Sequence, residues 1–178
     1  MIPVAAALSL GVLMGGGRDP SERPLAPSTF MWYCGYVVLL GVVTLAPPPM
    51  SLSNGLWGLN LVPLVNSVRC FVPNPGQPST TAFCIRTILG NVVIFVPFGI
   101  LLPLMWHRMS SVQRVALSAL VVSSSIEILQ YAGRRFGNPR WSDVDDVIFN
   151  VLGAMLGYAM LRFFLKYSAG ATRTPTDR

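Results

Sequence analysis

Apolar residues run in four blocks, about 29–46, 87–106, 112–131 and 146–166, separated by polar or Pro- and Gly-bearing stretches. A helix needs roughly 20 predominantly apolar residues to cross a bilayer core about 30 Å thick. Each block is close to that length, so the pattern predicts an all-α fold, a polytopic membrane bundle of four spans. Pro47, Pro48 and Pro49 close the first block, because proline lacks the backbone donor a helix interior needs. Pro97-Phe98-Gly99 at the middle of the second predicts a kink. Trp32, Tyr33 and Tyr36 fit an interfacial aromatic belt, as do Trp141 and Tyr158 on the fourth span.

Between the first two spans, residues 48–86 read as a long loop rich in Pro, Asn, Gly and Ser. The apolar patch from Leu59 to Leu64 is too short to span. It either lies at the interface or re-enters between helices. Residues 1–17 are apolar but short, with no basic leader and no clear small-x-small cleavage site. They read as a short fifth span, a surface-lying segment or a misassigned translation start. The chain thus divides into an N-terminal segment and linker (1–28), a transmembrane domain (29–167) and a tail expected to be disordered (168–178).

Composition agrees with the pattern. Only 11% of the 178 residues are charged and 52% are apolar, whereas soluble domains carry about 25% charged residues. The net charge of +6 comes from Lys and Arg scattered at the ends of apolar runs, which argues for topology determinants and against a nucleic-acid surface. One side of the four spans holds Arg18, Arg23, Arg108, Arg114, Arg162, Lys166, Arg173 and Arg178. The other holds Arg69, Arg86, Arg134, Arg135 and Arg140. Eight against five places the 107–113 connection and the C-terminus in the cytoplasm. The 48–86 loop then lies outside, where disulfides persist. Cys70 and Cys84 can pair there, closing a loop of about 15 residues worth roughly 3 kcal/mol in the chain-entropy picture, or remain free thiols. Cys34, inside an apolar run, reads as a small packing residue.

Glu127 is the only acid in its apolar run, and an acid at membrane depth is costly. Helical spacing puts Ser123, Glu127, Gln130 and Arg134 on one stripe of the third span. Asp143, Asp146, Asn150, Gly153 and Gly157 form a second stripe on the fourth. Ser142 or Asp143 can cap that helix, with Asp145 and Asp146 near its positive end. Gly153 and Gly157 form a GxxxG pattern that permits close helix approach. Asn91, Glu127, Gln130, Asp143, Asp146 and Asn150 can therefore converge in the outer half of the bundle, with Arg140 and Arg134 or Arg135 covering them. One reading is a polar network that fixes helix register, each pair worth about 0.6 kcal/mol. The other is a ligand site. His107 has no acid or cysteine at ligand spacing and reads as an interface residue. With no nucleophile elbow, no phosphate loop and no second histidine, the residues point to no metal and no cofactor.

Five pieces in order carry a resemblance: Thr44-Leu-Ala-Pro47, Asn60-Leu-Val-Pro63, Leu89-Gly-Asn through Pro97-Phe-Gly99, Ser125-Ile-Glu-Ile-Leu-Gln130, and Arg140 through Asp143, Asp146, Asn150, Gly153 and Gly157-Tyr158. Over about residues 31–165 the chain resembles the VanZ-like membrane proteins. It departs from their pattern at Tyr131 to Pro139, a slightly long connection. The resemblance implies a bacterial cytoplasmic-membrane protein of four spans and a link to low-level resistance to teicoplanin, a glycopeptide that binds cell-wall precursors outside the membrane. It implies no catalytic residues. What it carries over is a polar set: Asn60, Asn91, Glu127, Gln130, Arg140, Asp143, Asp146 and Asn150. Three functions follow as expectations. One is an envelope protein whose partners are membrane lipid and a lipid-linked wall precursor or a glycopeptide. Another is an intramembrane enzyme using Glu127 with Asp143 or Asp146 as an acid/base pair. The last is a structural module, oligomeric through the Gly153–Gly157 face.

Overall fold

The computed structural model describes residues 27–45, 59–69, 79–133 and 142–171. Four long helices dominate: α1 (Pro27–Leu45), α3 (Ser79–Met105), α4 (Val112–Gly133) and α5 (Val144–Ala171). Each contains a segment long and apolar enough to cross a membrane. Between α1 and α3 lie a two-residue strand β1 (Leu59–Asn60) and a short helix α2 (Val65–Arg69). β1 pairs in parallel with β2 (Ser142–Asp143), just before α5, with Leu59 opposite Ser142 and Asn60 opposite Asp143. The predicted four-span, all-α architecture is what is found. Residues 1–26, including the short apolar segment, lie outside the described residues, as do 172–178.

The helices alternate in direction. Val92 faces Gly153 and Val96 faces Gly157, so α3 and α5 run parallel. Asn150 meets Ser123 and Asp143 meets Glu127, so α4 runs antiparallel to α5. Tyr33 stacks edge-on against Trp106 at a centroid distance of 5.3 Å, and Tyr36 bonds to Ile94 further back along α3. α1 is therefore antiparallel to α3. One end of the bundle gathers Glu127, Asp143, Asp145 and Asp146. The opposite end gathers Arg108, Arg114, Arg162 and Lys166.

α3 packs against each of the other three long helices, most extensively against α5. Its contact with α5 is backbone against backbone. A Cβ placed on Gly99 would stand 1.9 Å from the Ala154 carbonyl oxygen. One on Gly153 would stand 2.1 Å from the Val92 oxygen, and one on Gly157 2.0 Å from the Val96 oxygen. In lipid, apolar side chains gain little by leaving the hydrocarbon, so helices associate by close packing and interhelical polar contacts. The GxxxG face is thus occupied within the chain by α3, which corrects its reading as an oligomer face.

Two aromatic expectations are also corrected. Tyr33 (1% exposed) and Tyr36 (8%) belong to the core with Val37, Leu40, Phe95, Phe98 and Leu102, while Trp32 stays exposed. Spacings of three and four put Tyr33, Tyr36, Val37 and Leu40 on one face of α1. Apolar residues surround α1 on every side, so composition could not identify that face. Tyr158 likewise points inward and donates to the Ser110 carbonyl at 2.8 Å.

α3 continues through Pro97 and Pro103. Pro97 lacks an N–H and its ring crowds the carbonyl one turn back. One residue further on, the Ile94 carbonyl accepts the Tyr36 hydroxyl of α1 at 2.8 Å. The hydroxyl thus ties α1 to α3 beside the proline. α3 also begins earlier than the apolar block, at Ser79, because no proline or glycine interrupts the chain before Gly90.

Gly153→Val and Gly157→Val should lower the thermal unfolding temperature in detergent, since overpacking costs about 1–3 kcal/mol or more. Gly35→Ala and Gly90→Ala, where a Cβ meets nothing within 4 Å, should leave it almost unchanged. Equal behaviour of the two pairs would contradict the α3–α5 contact.

Candidate functional site

The site is built at the carboxylate end, where β1, β2 and the ends of α3, α4 and α5 meet. Asp143 is the N-cap of α5. Its Oδ1 accepts the Asp145 backbone N–H at 3.0 Å, which satisfies a donor the helix leaves unpaired. The same oxygen accepts the Asn60 side-chain amide at 2.8 Å. Asn60 is held in turn by its own segment. Its Oδ1 accepts the Val62 N–H at 3.2 Å, and its Nδ2 also reaches the Val62 carbonyl at 3.3 Å.

Glu127 docks α4 on this cap. Its Oε2 accepts the Asp143 backbone N–H at 3.0 Å, and its backbone carbonyl accepts the Ser142 hydroxyl, also at 3.0 Å. The acid that is alone in its apolar run is therefore used where α5 begins. Its cost is offset by a peptide donor and by the positive end of α5.

Three acids in four residues cannot share one helix face, and they do not. Asp143 faces Asn60 and α4. Asp146 Oδ1 accepts the Asn91 amide of α3 at 2.5 Å. Asp145, 3% exposed, turns toward α2. Its Oδ1 accepts the Leu64 N–H at 2.5 Å, and its Oδ2 accepts the Ser67 N–H at 3.1 Å and the Ser67 hydroxyl at 2.5 Å. Leu64 has φ 62°, the left-handed region, which is unfavourable for a residue with a Cβ by about 1–2 kcal/mol. That conformation accompanies a backbone N–H directed at a buried carboxylate.

The predicted residues separate into groups. Asn60, Glu127 and Asp143 form one connected cluster, and Asn91 with Asp146 forms a second pair on the same helix turn. Deeper, Asn150 donates to the Ser123 hydroxyl at 2.8 Å between α5 and α4. The Asn150 Oδ1 is buried without a hydrogen-bond partner. Gln130 does not join the acids; it donates to the Thr44 carbonyl of α1 at 2.7 Å. Arg140, Arg134, Arg135 and Cys70 lie outside the described residues. Cys34 is a free thiol and Cys84 is disulfide-bonded.

Sequence reasoning gave Asp145 no side-chain partner. Stripe spacing selected Asp143, Asp146 and Asn150 and left Asp145 off the face. The available signal was complementary: an off-stripe acid at a helix start needs its own donors, and Asn60, Asn66 and Ser67 were the uncharged polar positions in a loop stretch rich in apolar residues.

The family model described as VanZ/LLP1 matches residues 31–165. The chain belongs to the VanZ-like family. It is 31% identical over 119 residues to Protein VanZ of Enterococcus faecium, an alignment covering 60% of this chain and 71% of that protein. No solved structure matches it. All five groups of residues that carried the resemblance fall within 31–165, and the chain is a multi-pass membrane protein of the VanZ type.

Asp145→Ala should reduce stability by about 2–4 kcal/mol, because it strands the Leu64 and Ser67 donors and each unsatisfied buried group costs about 1–3 kcal/mol. Protease cleavage near residues 61–68 should accelerate with it. Asp146→Asn, which leaves an acceptor for Asn91, should cost less than half as much. If Asp146→Asn proved the more damaging, the Asp145 contacts would not be what holds α2.

Proposed function

We propose that this VanZ-like protein acts at the outer face of a bacterial cytoplasmic membrane, where its carboxylate–amide cluster binds a ligand connected with the cell wall. The proposed ligand is a lipid-linked precursor or a glycopeptide such as teicoplanin, and the expected outcome is reduced teicoplanin sensitivity. The carrying observation is the connected set Asn60–Asp143–Glu127 beside Asn91–Asp146, within the part of the chain that matches the family. Carboxylates and amides at one end of a bundle suit a headgroup rich in hydroxyl, amide or amine donors.

Two observations support an outward cluster. The opposite end carries Arg108, Arg114, Arg162 and Lys166, and cytoplasmic ends are enriched in such residues. Cys84, at the carboxylate end of α3, is disulfide-bonded, a state that persists in oxidising surroundings. A binding role is favoured over acid/base turnover because Glu127, Asp143 and Asp146 each accept hydrogen bonds from neighbouring backbone or amide donors.

Expression of the wild-type chain in a glycopeptide-sensitive host should raise the inhibitory teicoplanin concentration severalfold, and Glu127→Gln at equal membrane abundance should lose most of that gain. No change from the wild-type chain would refute the reading. A fluorescent protein fused to the C-terminus should mature and fluoresce, as it does in the cytoplasm; a dark fusion, with an active periplasmic reporter at the same position, would reverse the orientation.

A further inference from the structure

The segment Leu59–Arg69 has two unlike sides. Toward α5 it presents Asn60, Ser67 and the N–H groups of Leu64 and Ser67, all engaged by Asp143 or Asp145. Away from α5 it presents Leu61 (69% exposed), Val62 (57%), Leu64 (47%) and Val68 (60%). We infer that this segment is a membrane-inserted wedge whose apolar side lies among the lipids of the adjacent leaflet, with Asp145 as its tether.

The depth of the segment follows from its pairing. Asn60 is in register with Asp143, the residue that caps a membrane-spanning helix. It therefore lies where that span enters the headgroup region, since Asp143 is bonded to Glu127, next to the exposed Ile128 of α4, and Gln130 of α4 reaches Thr44, two residues from the exposed Val42 of α1. A loop in water can leave its peptide groups to solvent, but one at the acyl boundary must satisfy them within the protein. The N–H groups of Val62, Leu64, Ser67 and Val68 are all bonded internally, to Asn60, Asp145, Asp145 and the Leu64 carbonyl. Amphipathic segments with their polar side satisfied and their apolar side bare partition to the headgroup–acyl boundary. The wedge sets Asn60 and Asp143 beside lipid headgroups.

The experiment uses the full chain carrying Cys34→Ser with the disulfide intact. Val62→Cys and Val68→Cys are labelled singly with an environment-sensitive nitrobenzoxadiazole dye and reconstituted in phosphatidylcholine–phosphatidylglycerol vesicles. Val93→Cys, on the exposed face of α3, is the in-lipid reference, and the parent without an added cysteine is the blank. Acyl-brominated lipid should quench positions 62 and 68 more than half as strongly as position 93, and iodide should quench them weakly. Strong iodide quenching would overturn the inference, as would quenching by neither agent, the signature of a second copy covering the segment. Asp145→Ala should lower bromolipid quenching at 62 and 68 at least twofold and leave position 93 unchanged. Retained quenching would remove Asp145 as the tether, and the measurement with Asp145 intact stands if that variant does not fold. The vesicles contain neither precursor nor antibiotic, so the result is independent of the proposed envelope function.

Discussion

A carboxylate removed from water must be met by donors, and Asp145 is met by three. The Leu64 and Ser67 N–H groups and the Ser67 hydroxyl converge on its two oxygens. Around that contact the carboxylate end takes shape. α2 is held against α5, β1 is brought alongside β2, and Asn60 comes within reach of Asp143. The left-handed Leu64 is a local cost accepted within this arrangement. Buried Asp145 and half-buried Glu127 and Asp143 therefore hold helix starts and the loop segment together, and Glu127 and Asp143, with Asp146, also belong to the cluster proposed to meet a ligand.

A second constraint fixes where those acids point. α3 and α5 touch through backbone at Gly99, Gly153 and Gly157, so their relative rotation and height leave little freedom. With α5 locked, Asp146 falls opposite Asn91, Asn150 opposite Ser123 and Asp143 opposite Glu127. Interhelical polar pairs of this kind are individually weak in membranes. Their value here is that one rigid contact aligns several at once. The partnerless Oδ1 of Asn150 marks the deepest polar position of that alignment.

Membrane character was legible because it depends on composition over long stretches. Four apolar blocks, proline stops and few charges predict four spans without reference to tertiary contacts. A cap at Ser142 or Asp143 was legible too, since N-capping is local, and the structure chose Asp143. The stripe logic brought Asp143 and Asn150 to α4 and carried Glu127 to the same end, whereas Asp146 turned to Asn91 of α3. It failed for Gln130, which turns to Thr44 on α1. The interfacial reading failed for Tyr33 and Tyr36, buried on a helix apolar all round. In both cases more than one face of the helix was chemically acceptable, so only packing could choose.

Sequence alone determined the number of spans, the capped start of α5, the small residues that allow close helix approach, and membership of a recognisable family pattern. Each of these depends on residues near one another in the chain. Tertiary structure alone decided that the GxxxG face belongs to α3, that Tyr36 bonds the Ile94 carbonyl of α3, and that Asp145 holds the 59–69 segment. Those outcomes join residues about 60 to 80 positions apart. An orphan donor or acceptor requires a partner by general chemistry, but which distant residue supplies it is set by how the helices rotate and pack.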